Sequence, residues 1–370
     1  MKAGMPDIFL RKSTNYYSAV PMRMALDDRK RKILQAIVDD YIETAEPVAS
    51  KALASRHDFQ IRSATIRNEM ADLEEMGYLE QPHTSAGRIP SDKGYREYVD
   101  TLMAVENLDP REEKELFSRL ETSFDEMTGL LKEASSAIAE QTGYTAITLT
   151  PKLKKSFLKQ LKMMMIEPGK VLVVVVLSVG VVRDRLIRIS DYLTPSQLME
   201  ISNIVEAGLC GKSLDEITLV TVTAAARETN IEESLLNQLL YEAYVSIKQA
   251  DNLEVYMDGE HHMLDFPEFH DIRRAKNVFD ALAKNGMIAG YLYELAEEEE
   301  IPSYMIRIGQ EITLEGLDGC SFVTTTYNAG GQLTGHIGVI GPKRMDYRRV
   351  ISQIGFVRMT IDRHMREIKD

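Results

Sequence analysis

The sequence has few cysteines, no membrane-length apolar run and no excess of positive charge. Its two cysteines, Cys210 and Cys320, are too few and too far apart for a disulfide framework, so we expect buried, reduced thiols in a cytoplasmic protein. The most apolar segment, 171–182, is much shorter than the roughly 20 residues of a membrane-spanning helix and predicts a buried β-hairpin. A formal net charge of −13 confines any attraction to DNA to a small patch.

Motifs for catalysis or for a cofactor are also missing. The segment 208–213 is similar to a phosphate-binding loop, but Glu206 occupies the position of the required first glycine, and its carboxylate would repel phosphate. His261, His262 and His270 lie near acidic residues, but their spacing matches no metal-ligand frame. The sequence therefore predicts neither an enzyme nor a bound cofactor or metal.

Helical patterns begin near residue 27. Asp27 or Asp28 is a suitable N-cap for a first helix, and Pro47 ends that pattern before a short second helix at 48–55. A third helix is predicted between Ser63, as its N-cap, and a glycine at its C-terminal end. Three helices in this order are typical of a helix-turn-helix domain.

The third helix, 63–77, has two contrasting faces. Its apolar face, which we expect to pack inward, consists of Ile66, Met70, Leu73 and Met76. Its opposite face carries the short or hydrogen-bonding residues Ala64, Arg67, Asn68 and Ala71, with Thr65 and Asp72 at its edge. Alanines allow close approach to a major groove, and Arg and Asn side chains can pair with guanine and adenine edges. A predicted hairpin, with strands at 78–80 and 88–90, completes a winged helix-turn-helix.

The candidate DNA contacts follow from these positions. We assign base-edge hydrogen bonds to Arg67 and Asn68, shape contacts to Ala64, Thr65 and Ala71, phosphate contacts to Lys51, Arg62 and Ser63, and wing contacts to Ser85, Ala86, Gly87 and Arg88. Residues 25–100 contain 11 Lys and Arg against 15 Asp and Glu. Binding therefore requires that acids at 39, 40, 74 and 75 point away and that Lys93 and Arg96 face the duplex. A pair of such domains would double the contacts.

The remaining chain predicts an α+β body. Residues 1–24 form a basic tail that we expect to be disordered, 25–104 the winged-helix domain, and 105–131 a solvated linker helix. We expect one antiparallel sheet with strands at 146–149, 162–166, 170–177 and 181–189, covered by a helix at 195–209. Strand patterns resume at 304–308, 320–327 and 335–340. The region between them, with helices at 231–250 and 271–283 and a short strand at 253–257, is interpreted as an insertion into the sheet domain.

Long segments of this chain resemble the HrcA family of bacterial heat-inducible transcription repressors. The resemblance is carried by residues 27–53, 63–100, 265–269, 308–311 and 338–347. Lys343 stands where the family usually has Thr, and Ala49 where it usually has Gly. The resemblance implies a GAF-like antiparallel-sheet domain, 132–209 and 288–370, interrupted by an inserted helical dimerising domain, 210–287. It further implies a homodimer that binds an inverted-repeat operator of chaperone operons, is inactivated by heat and is restored by the chaperonin GroEL.

Ligand sensing is the alternative function. A sheet domain of this kind can hold a small molecule, and a pocket between Ile189 and Tyr327 could change the DNA affinity of a dimer. Arg307, Tyr327 and His336 are the polar residues that could line it. Each is more often a satisfied structural residue, so repression through the third helix is the favoured hypothesis.

Overall fold

A computed structural model describes residues 26–57, 59–84, 86–104, 107–123, 127–178, 180–189, 193–225, 232–250, 253–296, 304–329 and 333–367. The predicted tail, 1–24, lies outside these ranges. The protein is a mixed α+β structure in which every strand pair among the described residues is antiparallel, as expected.

Residues 26–104, which we call the reader, begin with three helices and a short hairpin. The elements are α1 (Asp28–Thr44), α2 (Ser50–Arg56), α3 (Ser63–Glu75), β1 (Leu79–Glu80) and β2 (Ile89–Pro90). Asp27 caps α1 as predicted, because its carboxylate accepts a hydrogen bond from the backbone N–H of Lys30 at 2.7 Å. The order of elements is the one that a winged helix-turn-helix requires.

The two ends of α3 differ from each other. Gly77 follows the C-cap with a φ of +78°, and the N–H of Tyr78 reaches back to the carbonyl of Leu73 at 2.8 Å, which confirms the predicted glycine ending. The predicted N-cap is wrong by one residue. Ser63 is already the first helical residue, and Arg62 occupies the N-cap without a side-chain hydrogen bond to the helix. The first amides of α3 are therefore not satisfied by a capping side chain.

The predicted solvated linker helix is instead part of the packed structure. After α4 (Asp92–Glu97) and a π-helical turn (Tyr98–Leu102), the chain forms α5 (Pro110–Glu121) and α6 (Met127–Thr142). Leu116 and Leu120 of α5 are completely buried against α6. The high glutamate content suggested a solvated helix, but only the outward face of α5 is charged, and its leucines bury the other face.

The body, residues 107–367, contains a five-stranded sheet between two helical layers. Its strands, in the order β7-β3-β10-β9-β8, are β3 (Thr145–Leu149), β7 (Val255–Asp258), β8 (Met305–Ile308), β9 (Cys320–Asn328) and β10 (Thr334–Pro342). One face packs against α6 and α12 (Tyr347–Glu367), and the other packs against α10 (Ile272–Leu282) and α11 (Asn285–Ala296).

A second sheet, of three strands, lies between β3 and β7 in the sequence. It consists of β4 (Leu158–Glu167), β5 (Lys170–Leu177) and β6 (Val182–Arg188), and α7 (Pro195–Leu209), α8 (Leu219–Ala225) and α9 (Glu233–Gln249) follow it. The expectation that 146–149 shares a sheet with these strands is wrong. The segment between the two central-sheet strands is 150–254, not 210–287. The strand that we assigned to the insertion is β7, which pairs with β3. Strand pattern predicts strands but not their partners.

Candidate nucleic-acid interface

The outer face of α3 is free, as the sequence predicts. Ala64, Arg67, Asn68 and Ala71 are exposed, Thr65 is half-buried at the edge, and the apolar residues beneath them, such as Ile66, are buried. Among the described residues, the side chains of Arg67 and Asn68 have no hydrogen-bond or ion-pair partner. The face therefore presents two hydrogen-bonding side chains between two small ones, which is a surface that fits a major groove.

Three of the four acidic residues of α3, namely Glu69, Asp72 and Glu74, are held by basic side chains of the reader. Glu75 departs from the expectation that it points away, because it lies one turn beyond Ala71 on the outer face, is exposed and has no ion-pair partner among the described residues. Lys30 Nζ lies 2.6 Å from Glu69 Oε2 and 3.0 Å from Asp72 Oδ2, and Arg29 also contacts Glu69 at 3.4 Å. The hydrogen bonds that the Lys30 ammonium donates to Glu69 and Asp72 raise its pKa above the usual value. These pairs neutralise Glu69 and Asp72 locally, although the net acidic charge of residues 25–100 is unchanged because both partners are already counted in it.

Two of the three predicted phosphate contacts lie where such contacts are possible. Lys51, at the start of α2, and Arg62, at the start of α3, are exposed and have no ion-pair partner among the residues that the structure describes. Ser63 is half-buried in the first turn of α3. The uncapped amides of that turn add a site suited to a phosphate oxygen.

The wing differs from the prediction at its base. Arg88 does not lie at the tip, because its guanidinium binds Glu74 of α3 at 2.7 Å and its backbone exchanges two hydrogen bonds of 2.9 Å with Val48. The chain at this point passes so close to the backbone of Pro47 and Val48 that position 87 requires a glycine, since a Cβ there would overlap that backbone. Ala86 is half-buried, and Ser85 lies outside the described residues.

Sequence reasoning missed the residue that organises the wing turn. The side-chain amide of Gln81 donates to the carbonyls of Thr84 and Ala86, both at 3.0 Å. His83 and Thr84 are exposed at the tip. A glutamine at the start of a polar turn is a weak signal, because only the folded turn brings both carbonyls within its reach.

Lys93 and Arg96 do not face a duplex together with α3, contrary to the expectation. Lys93 donates to the carbonyl of Met76 at 2.7 Å and its ammonium lies 4.2 Å from the centre of the Tyr78 ring. Arg96 is paired with Glu311 of the body. Lys93 is exposed but lies against the end of α3, whereas Arg96 is half-buried, because α4 lies between the hairpin and the body.

The residues of the ligand-sensing hypothesis lie within the body. Tyr327 is buried and donates to the carbonyl of Leu149 at 2.9 Å. His336 is also buried, with its ring centre 4.6 Å from that of Tyr293. Cavities of about 470 and 220 Å³ lie elsewhere, one against α10 and one between β6 and α9. Ligand sensing stays a prediction.

Two further searches cover only the described parts of the chain. Within them, no helix is both long enough and apolar enough to cross a membrane. The same residues form no cluster of three or more potential metal ligands, including at the histidines near 261. The expectation that both cysteines are buried is wrong for Cys210, which is exposed because it caps the C-terminal end of α7, whereas Cys320 is buried in β9.

Comparison with known proteins identifies the family. A family model described as "HrcA protein C terminal domain" matches residues 128–351. A relative named "Heat-inducible transcription repressor HrcA", from Ruminiclostridium cellulolyticum, is 41% identical over 348 residues, which cover 94% of this chain and 99% of the relative. A relative of the same name from Acetivibrio thermocellus is 40% identical over 345 residues, covering 93% and 98%.

A solved structure supports the fold. It is described as "Crystal structure of a hypothetical protein at 2.2 A resolution", and it covers 93% of this chain and 100% of its own length with a TM-score of 0.63 at 22% sequence identity. That likeness concerns the fold alone, whereas the identities to the named relatives extend over nearly the whole sequence. This chain belongs to the HrcA family of heat-inducible transcription repressors, a family of regulators and not of enzymes.

Proposed function

We propose that this protein silences heat-shock operons by binding an inverted-repeat operator as a homodimer, with α3 of each reader in a major groove. The observation that carries the proposal is the exposed, unpaired state of Arg67 and Asn68 on a helix whose residues Glu69, Asp72 and Glu74 are ion-paired. Each reader would contact one half-site, with base edges bound by these two side chains and phosphates by Lys51 and Arg62.

The test begins with selection of duplexes from a random pool by the purified protein. We expect an inverted repeat with two equivalent half-sites, and a mobility shift that is abolished when both half-sites are scrambled. The control is the double variant Arg67→Ala/Asn68→Ala, which should recover no repeat. Selection of no sequence by the wild-type protein would overturn the proposal.

A surface suited to dimerisation lies on the outer face of the three-stranded sheet. Met164, Leu172 and Leu186 stand side by side across β4, β5 and β6, and Val182 lies on the same face. Leu186 is 59% exposed and Met164 is 46% exposed. The other face of this sheet is buried under α7 and α9. Exposed apolar patches of this kind mark interfaces, and we propose that a second copy of the chain covers this one.

Sedimentation analysis tests the dimer. A charge in the centre of the face, Leu186→Glu, should shift the protein toward the monomer, because an unpaired carboxylate would be buried at the interface. Glu200→Gln is a matched control, since this exposed residue of α7 lies outside that apolar face. A dimer unaffected by Leu186→Glu would place the interface elsewhere.

The heat response and the chaperonin partner rest on the family resemblance. We propose that the repressor works in the cytoplasm, loses operator binding on heating and regains it with GroEL. Operator affinity measured before heating, after heating, and after incubation with the chaperonin tests both steps. Full recovery without chaperonin would remove that partner from the proposal.

A further inference from the structure

The reader rests on the body through two separate clusters of polar contacts, which together we call the joint. The first cluster involves Asp92, at the start of α4. Its carboxylate accepts hydrogen bonds from the backbone N–H of Gln310 at 3.1 Å and from the ammonium of Lys343 at 2.5 Å. Gly309 permits this approach, since it has a φ of +54° and a Cβ there would overlap the Asp92 carboxylate.

Arg96, one turn further along α4, completes the first cluster. Its Nε donates to Glu311 Oε1 at 2.9 Å, its Nη2 donates to the carbonyl of Ile306 at 2.7 Å, and its Nη1 lies 3.2 Å from Asp100. The guanidinium is thus bound to both a side chain and the backbone of the body. Such a multiply bonded, part-buried arginine restricts orientation more than a single exposed ion pair does.

The second cluster binds the C-terminal half of α1. Asp39 accepts hydrogen bonds from the hydroxyl of Tyr98 and from Nη2 of Arg348, both at 2.6 Å. Arg344 donates to the carbonyl of Ile42 at 3.2 Å. These contacts connect the reader to the segment between β10 and α12 and to the first turn of α12.

The positions of the two clusters determine what the joint can do. One holds α4 and the other holds α1, so rotation of the reader about either contact would break the other. Neither cluster uses the outer face of α3, which stays exposed. Most of the body residues that form the joint lie in segments 308–311 and 338–347. These segments carry part of the family resemblance but contain none of the candidate DNA contacts.

We propose that the joint positions the reader on the body and thereby sets the separation of the two reading helices in the dimer. This inference rests on the proposed function. A rigid joint makes binding to the second half-site effectively intramolecular, but only at the spacing that the dimer geometry matches. Arg96, Arg348 and Lys343 are positioning residues, which act on DNA through the placement of α3.

The first experiment compares operators of different spacing. We expect the wild-type protein to bind the selected operator at least about tenfold more tightly than the same operator with about half a helical turn inserted between half-sites. In the double variant Arg96→Gln/Arg348→Gln this ratio should fall below about threefold, because flexible readers tolerate both spacings, while affinity for an isolated half-site stays within about twofold. An unchanged spacing ratio would overturn the proposal.

Arg119→Gln is the matched control. Arg119 is part-buried like Arg96 and is bound at 2.6 Å to each of Glu133 and Glu140, but all three residues lie within the body. It should keep the wild-type spacing ratio. If the double variant does not fold, Lys343→Thr replaces it, because this less buried side chain removes only one ion pair of the joint, and the ratio should change in the same direction by a smaller factor.

The second experiment needs no DNA and therefore separates failure of the joint from failure of the proposed function. Spin labels on the exposed Cys210 and on Glu75→Cys report the distance between body and reader, while Cys320 is fully buried. In samples diluted with unlabelled protein, the distance distribution should be narrow for the wild type and for Arg119→Gln, and at least about twofold broader for the joint variant. Equal widths would overturn the joint even if operator binding is confirmed.

Discussion

Polar side chains on α3 of the reader and in the sheet of the body differ in their exposure and in their hydrogen-bond partners. On α3 of the reader, Arg67 and Asn68 are exposed and have no partner among the described residues. In the body, Tyr327 and Tyr347 are completely buried and their hydroxyls are hydrogen-bonded to backbone carbonyls. Buried polar groups require hydrogen-bond partners within the protein, whereas exposed polar groups are solvated by water and stay accessible to a ligand. This difference supports our proposal that α3 recognises DNA, while the buried polar groups of the sheet serve stability.

The largest expected effect concerns a buried group of the body that lacks such a partner. His336 is 3% exposed, its Nε2 has no hydrogen-bond partner among the described residues, and burial together with the nearby Lys152 lowers its pKa to about 4. In the unfolded chain the pKa is about 6.5, so below that pH the unfolded state binds the proton preferentially. Stability should therefore fall as the pH drops from about 6.5 to 4, by about 3 kcal/mol from this group.

Chemical denaturation at pH 7 and pH 4 measures this loss. His336→Leu should reduce the difference between the two pH values by about 3 kcal/mol, because it removes this titrating group while the carboxylates continue to contribute. His83→Leu is the control, since His83 is exposed on the wing and should leave the acid-dependent loss unchanged. An equal acid-dependent loss in wild type and His336→Leu would contradict the assignment.

The next largest effect is expected at Arg67, on the exposed face of α3. Arg67→Ala should weaken operator binding by about 1–3 kcal/mol and relax the preference at one base pair, because a bidentate base contact is lost. Fold stability should change little, since the side chain is exposed and has no partner within the described chain. Titration against every single-base operator variant measures both quantities. Equal weakening on all sequences would make Arg67 a phosphate ligand.

A smaller and less selective effect is expected at the N-cap of α3. Arg62→Ala should weaken binding to all sequences alike and reduce the slope of log affinity against log salt by about 1, because one phosphate contact is lost. Arg62→Lys keeps the charge and should restore the slope. Affinity measured at four salt concentrations decides this, and an unchanged slope would remove Arg62 from the phosphate contacts.

The smallest effect is expected at Arg88, which sequence analysis grouped with the wing contacts. Because its guanidinium is held by Glu74 at 2.7 Å, Arg88→Ala should change operator affinity far less than Arg67→Ala does, and should lower the free energy of unfolding by about 1 kcal/mol or less. Glu74→Ala should give a similar change in stability. A loss of affinity as large as that of Arg67→Ala would show that Arg88 leaves Glu74 to bind DNA.

Local pattern was enough to predict most elements of this fold. Helical spacing of apolar residues predicted α1 and α3, Gly77 predicted the end of α3, and the strands at 170–177 and 182–188 were predicted within a residue or two. These features depend on a residue and its near neighbours in the chain, so they can be recognised without the fold. The face of α3 that carries Arg67 and Asn68 could also be predicted from the local sequence, because helical spacing alone places these residues opposite the apolar face.

Partners distant in sequence could not be predicted in this way. Nothing near Arg96 in the chain indicates that it binds Glu311, and nothing near residue 146 indicates that β3 pairs with β7 and β10 rather than with the hairpin that follows it. For the same reason, the sequence determined which residues face outward on α3, while only the tertiary structure decided which arginines remain free. An arginine is ion-paired within the protein when folding brings a carboxylate within about 3 Å of its guanidinium, and it is free to bind a ligand when folding does not.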